Sequence, residues 1–264
     1  MEDNKLAGQS WTDLDTKFGL YLYFQLTFGQ IDQRNPEVIK LAGIIGRSPS
    51  SIAMKLANFA SLDPKITQSG RKGLQGASAQ DRRIWDAFHA DWTGLISEIE
   101  SVLAELDSSG SVGAVKEEIV QFNFARYGGQ STRQTFVDVR VGQQFFRSAV
   151  LANFEGRCCV TGIAEPSLLI ASHIAPWSDN TKHRHNPANG LTLSATFDCA
   201  FDKGLMTIDP SLCVVLSSKL LQHKNENTRE CFQTFNGREI LLPIRFLPDP
   251  ELLNWHNAMV FDGD

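Results

Sequence analysis

The sequence predicts an α+β protein of two domains, a helical, winged-helix-like domain over residues 1–107 and a mixed strand and helix domain over 114–264. Three observations predict it. Before residue 107 apolar side chains recur at helical spacing. Asp107–Gly113 (DSSGSVG) then interrupts that pattern with small, turn-forming residues, so 108–113 reads as a linker. Beyond it, short apolar runs that end in Ser, Pro and Gly alternate with helix-patterned stretches.

Composition bounds what such a chain can be. With 264 residues, 42% apolar and 21% charged, it can bury a sizeable core, and neither global disorder nor a repeat array fits. No apolar run approaches the ~18 residues a membrane span requires. The opening MEDNKLAGQS lacks the basic and apolar regions of a signal peptide, so a cytoplasmic location is expected. Five cysteines with no C-x-x-C pair fit reduced thiols better than a disulfide framework.

The net charge of −5 argues against a polyanion partner only as an average. Residues 1–33 carry −3, 34–83 carry +6, 84–120 carry −7 and 121–157 carry +3. Two basic blocks in an acidic chain are either solvated faces or phosphate-binding surfaces.

In the first domain, Trp11–Phe28 and Ile84–Leu106 read as packing helices. Between them Pro36–Ile45 is apolar with helical period and ends at Gly46; Arg47-Ser48-Pro49-Ser50 supplies a turn and a cap, and Ser51–Ala60 resumes the helix. This helix-turn-helix places Ile52, Leu56 and Phe59 on a buried stripe and Ser50, Ser51, Lys55 and Asn58 on other faces. The polar side chains suit base edges in a major groove, with Arg47 and Lys55 on phosphates. Gly70–Ser78 (GRKGLQGAS), with Arg71 and Lys72, is either a wing along the DNA backbone or a mobile loop. The same helices also occur in domains that bind no nucleic acid.

The second domain opens with a helix over about 141–153, preceded by Arg140. Arg140, Gln143 and Arg147 share one side and either grip a phosphate or face solvent. From Cys158 to Asp209 the density of His, Asp, Asn and Trp rises. Leu168–Ala171 reads as a strand ending at Ser172-His173, Asn186–Gly190 as a loop, and Ser194–Phe201 as a helix capped by Ser194. Asp198 and Asp202, four residues apart, share a helix face and suit a hard cation such as Mg2+. A neutral His173 can take a proton from water beside that cation, which is the pairing phosphodiester hydrolysis needs. Taken one at a time, the aspartates also fit pairing with Lys203 or Arg184, and His173 a hydrogen-bonded core position. Farther on, Leu212–Leu216 reads as a strand and Pro250–Met259 as a closing helix.

Four spaced elements carry a family resemblance: Cys158-Cys159-Val160-Thr161-Gly162, then Ala171-Ser172-His173-Ile174-Ala175-Pro176-Trp177, then Asn186-Pro187-Ala188-Asn189-Gly190-Leu191-Thr192-Leu193, and Asp198-Cys199-Ala200-Phe201-Asp202-Lys203-Gly204-Leu205. Over about residues 140–209 the chain resembles HNH nucleases of the ββα-metal type, in the branch that includes restriction enzymes. The resemblance implies His173 as general base, Asn189 as the residue that orients it, and Asp198 as a metal ligand with Asp202 as a second candidate. Ser172 stands where many relatives have an acidic or His ligand, so the cation would be held more loosely or through water there. The implied cofactor is Mg2+ or another divalent cation such as Mn2+. No structural zinc is expected, because the paired C-x-x-C motifs of many relatives are missing. Lys203 and Arg184 are expected near the cleaved phosphate, and Trp177 in packing. The implied activity is hydrolysis of double-stranded DNA by a restriction endonuclease, either sequence-specific or dependent on base modification. A homodimer is expected, since one such site cuts one strand at a time. The alternatives are a non-catalytic DNA-binding regulator and an RNA-cleaving nuclease.

Overall fold

The computed structural model describes residues 10–70, 73–108, 135–176 and 183–264. The chain divides into two compact units, Met1–Phe145 and Phe146–Asp264. Apart from Ser108, the expected linker at 108–113 falls on residues outside those described, as do Arg71, Lys72 and Trp177.

The described residues of the first unit are helical. Helix α1 (Asp13–Gln25) starts at a capping box in which Thr12 and Asp15 exchange side-chain and backbone hydrogen bonds. Helix α2 (Pro36–Ile45) is capped by Asn35 and stopped by Gly46, whose φ of 67° is the left-handed conformation that glycine adopts without strain. Helix α3 (Pro49–Leu62) begins at Ser48, whose hydroxyl accepts from the Ser51 amide. The helix-turn-helix expected from sequence is therefore present as α2 and α3. Helices α4 (Pro64–Gln68), α5 (Ala79–Ala90) and α6 (Trp92–Ser108) complete the unit. The expected single stretch Ile84–Leu106 is two helices, because Asp91 leaves helical geometry and its carboxylate accepts from the Gly94 amide. Leu20, Phe24, Ile52, Leu56, Phe59, Ile84 and Phe88 form the core.

Three expectations about this unit need correction. Arg47 does not face outward: it is 8% exposed, its Nη2 donates to Asp15 at 2.8 Å, and its guanidinium lies 4.5 Å over Trp11. Lys55 is 6% exposed, paired with Asp81 at 2.6 Å, and 4.5 Å from the same indole. A cationic head can satisfy a carboxylate and an aromatic face at once, a solution that helical periodicity alone does not reveal. Much of the basic block is thus neutralised by acidic residues, with Arg83 on Asp13 as a further pair. Finally, no strand occurs among the described residues of 73–78, so the wing is not found there; Gly73 instead lies tight against α3, and Leu74 donates to the Ala57 carbonyl at 3.1 Å.

The second unit is built on the C-terminal part of α7 (Thr135–Asn153), a helix that starts earlier than its periodicity predicted. The Asn153 side chain ties the helix end to the chain at 245–246, accepting from the Arg245 and Phe246 amides and donating to the Phe246 carbonyl. Strands β1 (Leu169–His173) and β2 (Gly190–Ser194) pair antiparallel, with Ser172 opposite Leu191 and His173 opposite Gly190. Helix α8 (Ala195–Asp202) follows β2 directly and packs on both strands. Strands β3 (Met206–Ile208) and β4 (Val214–Leu216) form a second antiparallel pair. The latter is shorter than the run from Leu212 predicted, because Leu212 turns to φ 63°. Helices α9 (Ser218–Leu221), α10 (Glu226–Gln233) and α11 (Pro250–Met259) close the unit around Phe146, Val150, Phe154, Leu193, Phe197 and Phe201.

Candidate active site

Strand alternation sends neighbouring residues to opposite faces, and at the end of β1 this separates Ser172 from His173. The His173 imidazole lies flat on the Phe146 ring from α7, with centroids 3.7 Å apart and planes 7° from parallel. Its Nε2 is 3.1 Å from the Arg184 carbonyl oxygen. A carbonyl can only accept, so Nε2 carries the hydrogen and Nδ1 keeps the lone pair. Burial pushes the His173 pKa down to about 4, against the smaller opposing effect of that carbonyl, and the ring is neutral at pH 7.

Asn189, fully buried, does not bond to the imidazole. Its Oδ1 accepts from the Ala175 amide at 2.8 Å, while Nδ2 donates to the carbonyls of Ala175 at 3.2 Å and His183 at 3.3 Å. One side chain thus joins the segment leaving His173 to the segment whose next carbonyl, that of Arg184, holds His173. Any influence of Asn189 on the imidazole runs through the backbone. Gly190, opposite His173, lets α7 approach: a Cβ there would overlap Val150 and reach 2.9 Å from Phe146 Cζ.

On the other face of β1, Ser172 is 4% exposed and lies beside Asp198 of α8. Burial raises the Asp198 pKa to about 6, the Asp202 charge adds to the rise, and the Ser172 hydroxyl opposes it. The hydroxyl does not complete a hydrogen bond, since Ser172 Oγ has no partner among the described residues. Asp202, one turn on, is also raised by desolvation, with Lys203 pulling the other way. The two carboxylates are therefore within electrostatic reach of each other, as their spacing predicted.

This set fits a hard divalent cation. A buried hydroxyl beside Asp198, whose charge is disfavoured by burial and by Asp202 one turn on, is a set of oxygen donors that a small cation would satisfy. Among the described residues no group of three His, Cys, Asp or Glu forms a metal cluster, so water and substrate oxygens would fill the remaining positions.

Of the other expected residues, Gln143 and Arg147 are partly exposed on α7, and burial lowers the Arg147 pKa. The Arg140 side chain lies outside those described. Arg184 contributes its carbonyl oxygen to the site, and Lys203 is exposed at the end of α8. Ser50 is exposed on α3, with Ser51 and Asn58 partly so. Two neighbours of His173 lie outside the expected catalytic set: Phe146, an apolar position of α7, and His185, which its sequence position beside Arg184 suits either to DNA contact or to a solvated loop. The latter is 6% exposed, and its pKa falls to about 4 through burial, then through the charges of Arg184 and His173.

No curated protein matches the chain. Residues 158–209, which contain the Cys158–Gly162 turn, β1, β2 and α8, match the family model HNH_2, HNH endonuclease. The chain therefore carries an HNH endonuclease domain in its C-terminal half.

Proposed function

We propose that the protein is a metal-dependent DNA endonuclease of the restriction type, with the first unit contributing to recognition and the second performing hydrolysis. The observation that carries the hydrolytic reading is the buried Ser172 hydroxyl beside Asp198, with Asp202 one turn on, next along β1 to a neutral, oriented His173 whose side chain leaves the strand on its other face. Ser172, Asp198 and Asp202 would hold Mg2+ or Mn2+. When bound, such a cation supplies Lewis-acid stabilisation of the charge that develops on the scissile phosphate and on the leaving oxygen. His173 takes the proton from the attacking water at Nδ1, and the Arg184 carbonyl keeps the required tautomer by accepting from Nε2–H. Asn189 holds both chain segments that position this pair. Lys203, Arg184, Arg147, Gln143 and Arg140 supply positive charge and donors to the DNA backbone, and Ser50, Ser51 and Asn58 offer the polar face of α3 to bases.

With Arg47 and Lys55 engaged internally, the first unit is less suited to act alone as a regulator, because phosphate contacts provide most of the affinity of such a module. A plasmid-nicking assay with Mg2+ or Mn2+ tests the reading: wild-type protein nicks DNA and His173→Ala does not. Equal cleavage by the variant removes His173 as base; binding without cleavage by the wild type supports the regulator. Matched unmodified, methylated and hydroxymethylated DNA, and an RNA of the same sequence, define the substrate. Active protein sediments as a dimer if paired sites make the double-strand break.

A further inference from the structure

The C-terminal helix lies outside the residues that match the nuclease family, yet it grips the end of the helix that carries both aspartates. Helix α8 ends in a 6→1 turn: Leu205 N–H donates to the Ala200 carbonyl at 2.9 Å, and Gly204 takes φ 67°. Immediately there the chain after α11 closes on it. The Asp262 amide donates to the Gly204 carbonyl at 2.9 Å, and a Cβ on Gly204 would overlap the Val260 carbonyl. From α11 itself, His256 stacks on Phe201 with centroids 3.7 Å apart and planes at 12°, while its Nδ1 bonds the Thr207 hydroxyl at 2.9 Å. Asn257 adds a bond from Nδ2 to the Ile208 carbonyl at 3.2 Å. The residues held are Phe201, Gly204, Thr207 and Ile208, on both sides of Asp202 and Lys203.

Packing alone does not account for the choice of residue at 256. His256 is 2% exposed, and its Nε2 makes no hydrogen bond among the described residues. Leaving such a polar atom buried costs stability that an apolar side chain of similar size would not. What the imidazole adds over an apolar ring is a directional bond to Thr207, which fixes the plane on which Phe201 rests. Phe201 precedes Asp202 and follows Asp198 by three residues, so the ring on which His256 rests belongs to the helical turn that carries both carboxylates.

We propose that α11 and residues 260–262 form a clamp that sets the divalent-cation affinity of the Asp198 and Asp202 pair, with His256 as its positioning residue. This rests on the metal-dependent reading above. His256 touches neither substrate nor cation and acts through Phe201 and Thr207.

The test is Mn2+ binding by the full-length protein, followed by the electron paramagnetic resonance of free Mn2+ and in parallel with nicking at increasing Mn2+. Wild type, His256→Ala, His256→Phe, Asp262→Pro and Asp262→Asn are compared. Loss of supporting contacts around a metal ligand typically weakens binding about 10- to 100-fold. His256→Ala and Asp262→Pro, which lacks the backbone donor, are expected to raise the half-saturating Mn2+ concentration about tenfold. Nicking by both recovers at saturating metal. Asp262→Asn keeps the amide and binds as wild type, and His256→Phe, which keeps the stack alone, falls between. A purely structural role lowers the number of binding sites without moving the midpoint. If wild type binds Mn2+ and the folded variants share its midpoint, the clamp is refuted; if wild type binds none, the metal-dependent reading fails first. Should His256→Ala not fold, the contrast between Asp262→Pro and Asp262→Asn decides.

Discussion

The imidazole of His173 owes its state to two neighbours of different kinds, an aromatic ring that desolvates it and a carbonyl that fixes its hydrogen on Nε2. Removing it by His173→Ala should lower nicking per folded molecule about a hundredfold or more, the usual worth of a positioned base, and the lost stack on Phe146 should lower the melting temperature as well. Lys55 poses the opposite case. It is an ionic group placed by the fold for the fold, and Lys55→Ala should strand Asp81, which is 1% exposed, at a cost of about 3 kcal/mol in chemical denaturation. DNA affinity, corrected for folded fraction, should not change; a large loss of affinity in fully folded protein would return Lys55 to the phosphate-binding set. Both side chains were visible in the sequence as chemically suggestive residues. What separated them was a partner distant along the chain, Phe146 in one case and Asp81 in the other. No spacing rule reports such a partner.

Local chemistry made most elements legible. Ser48 and Gly46 announced the helix-turn-helix because capping and left-handed glycine are short-range effects, and Asp198 and Asp202 announced their shared face because α-helical period is fixed. The stretch after α4 is not legible in this way: its three glycines permit a hairpin as readily as a loop, and among the described residues 73–78 there is no strand, with Gly73 tight against α3. Gly190 is the element-level feature that most directly links fold to site, since β2 can pair with β1 and also lie against α7 only without a side chain there. Gly190→Ala should cost about 1–3 kcal/mol by overpacking. It should also disturb Phe146 beneath His173, so that cleavage per folded molecule drops as well. Measuring both quantities on one sample checks this: a loss of stability with unchanged specific activity would show that β2 yields without moving Phe146.

For the second unit as a whole, the balance of titratable groups predicts how stability follows pH. His173, His185 and His256 each have a pKa lowered by burial from 6.5 to about 4. Each folded ring refuses a proton that the unfolded chain accepts, so the stability tied to it is complete above pH 6.5 and is lost as pH falls toward 4. Asp198, raised from 3.8 to about 6, acts in the opposite sense: the folded state takes the proton first, and acidification from pH 6 to 3.8 relieves its cost. Asp202 shifts in the same direction as Asp198. Three strongly lowered histidines outnumber the two raised carboxylates and leave the histidines dominant. In EDTA the melting transition of this unit should therefore move down steadily between pH 6.5 and 4.5. His256→Phe removes one of the three proton acceptors, and near pH 5 the number of protons taken up on unfolding should fall by about one. Parallel pH dependences for wild type and variant would mean that His256 is already protonated in the folded protein. In that case its ring would donate from both nitrogens, and the Thr207 hydroxyl would have to accept from it.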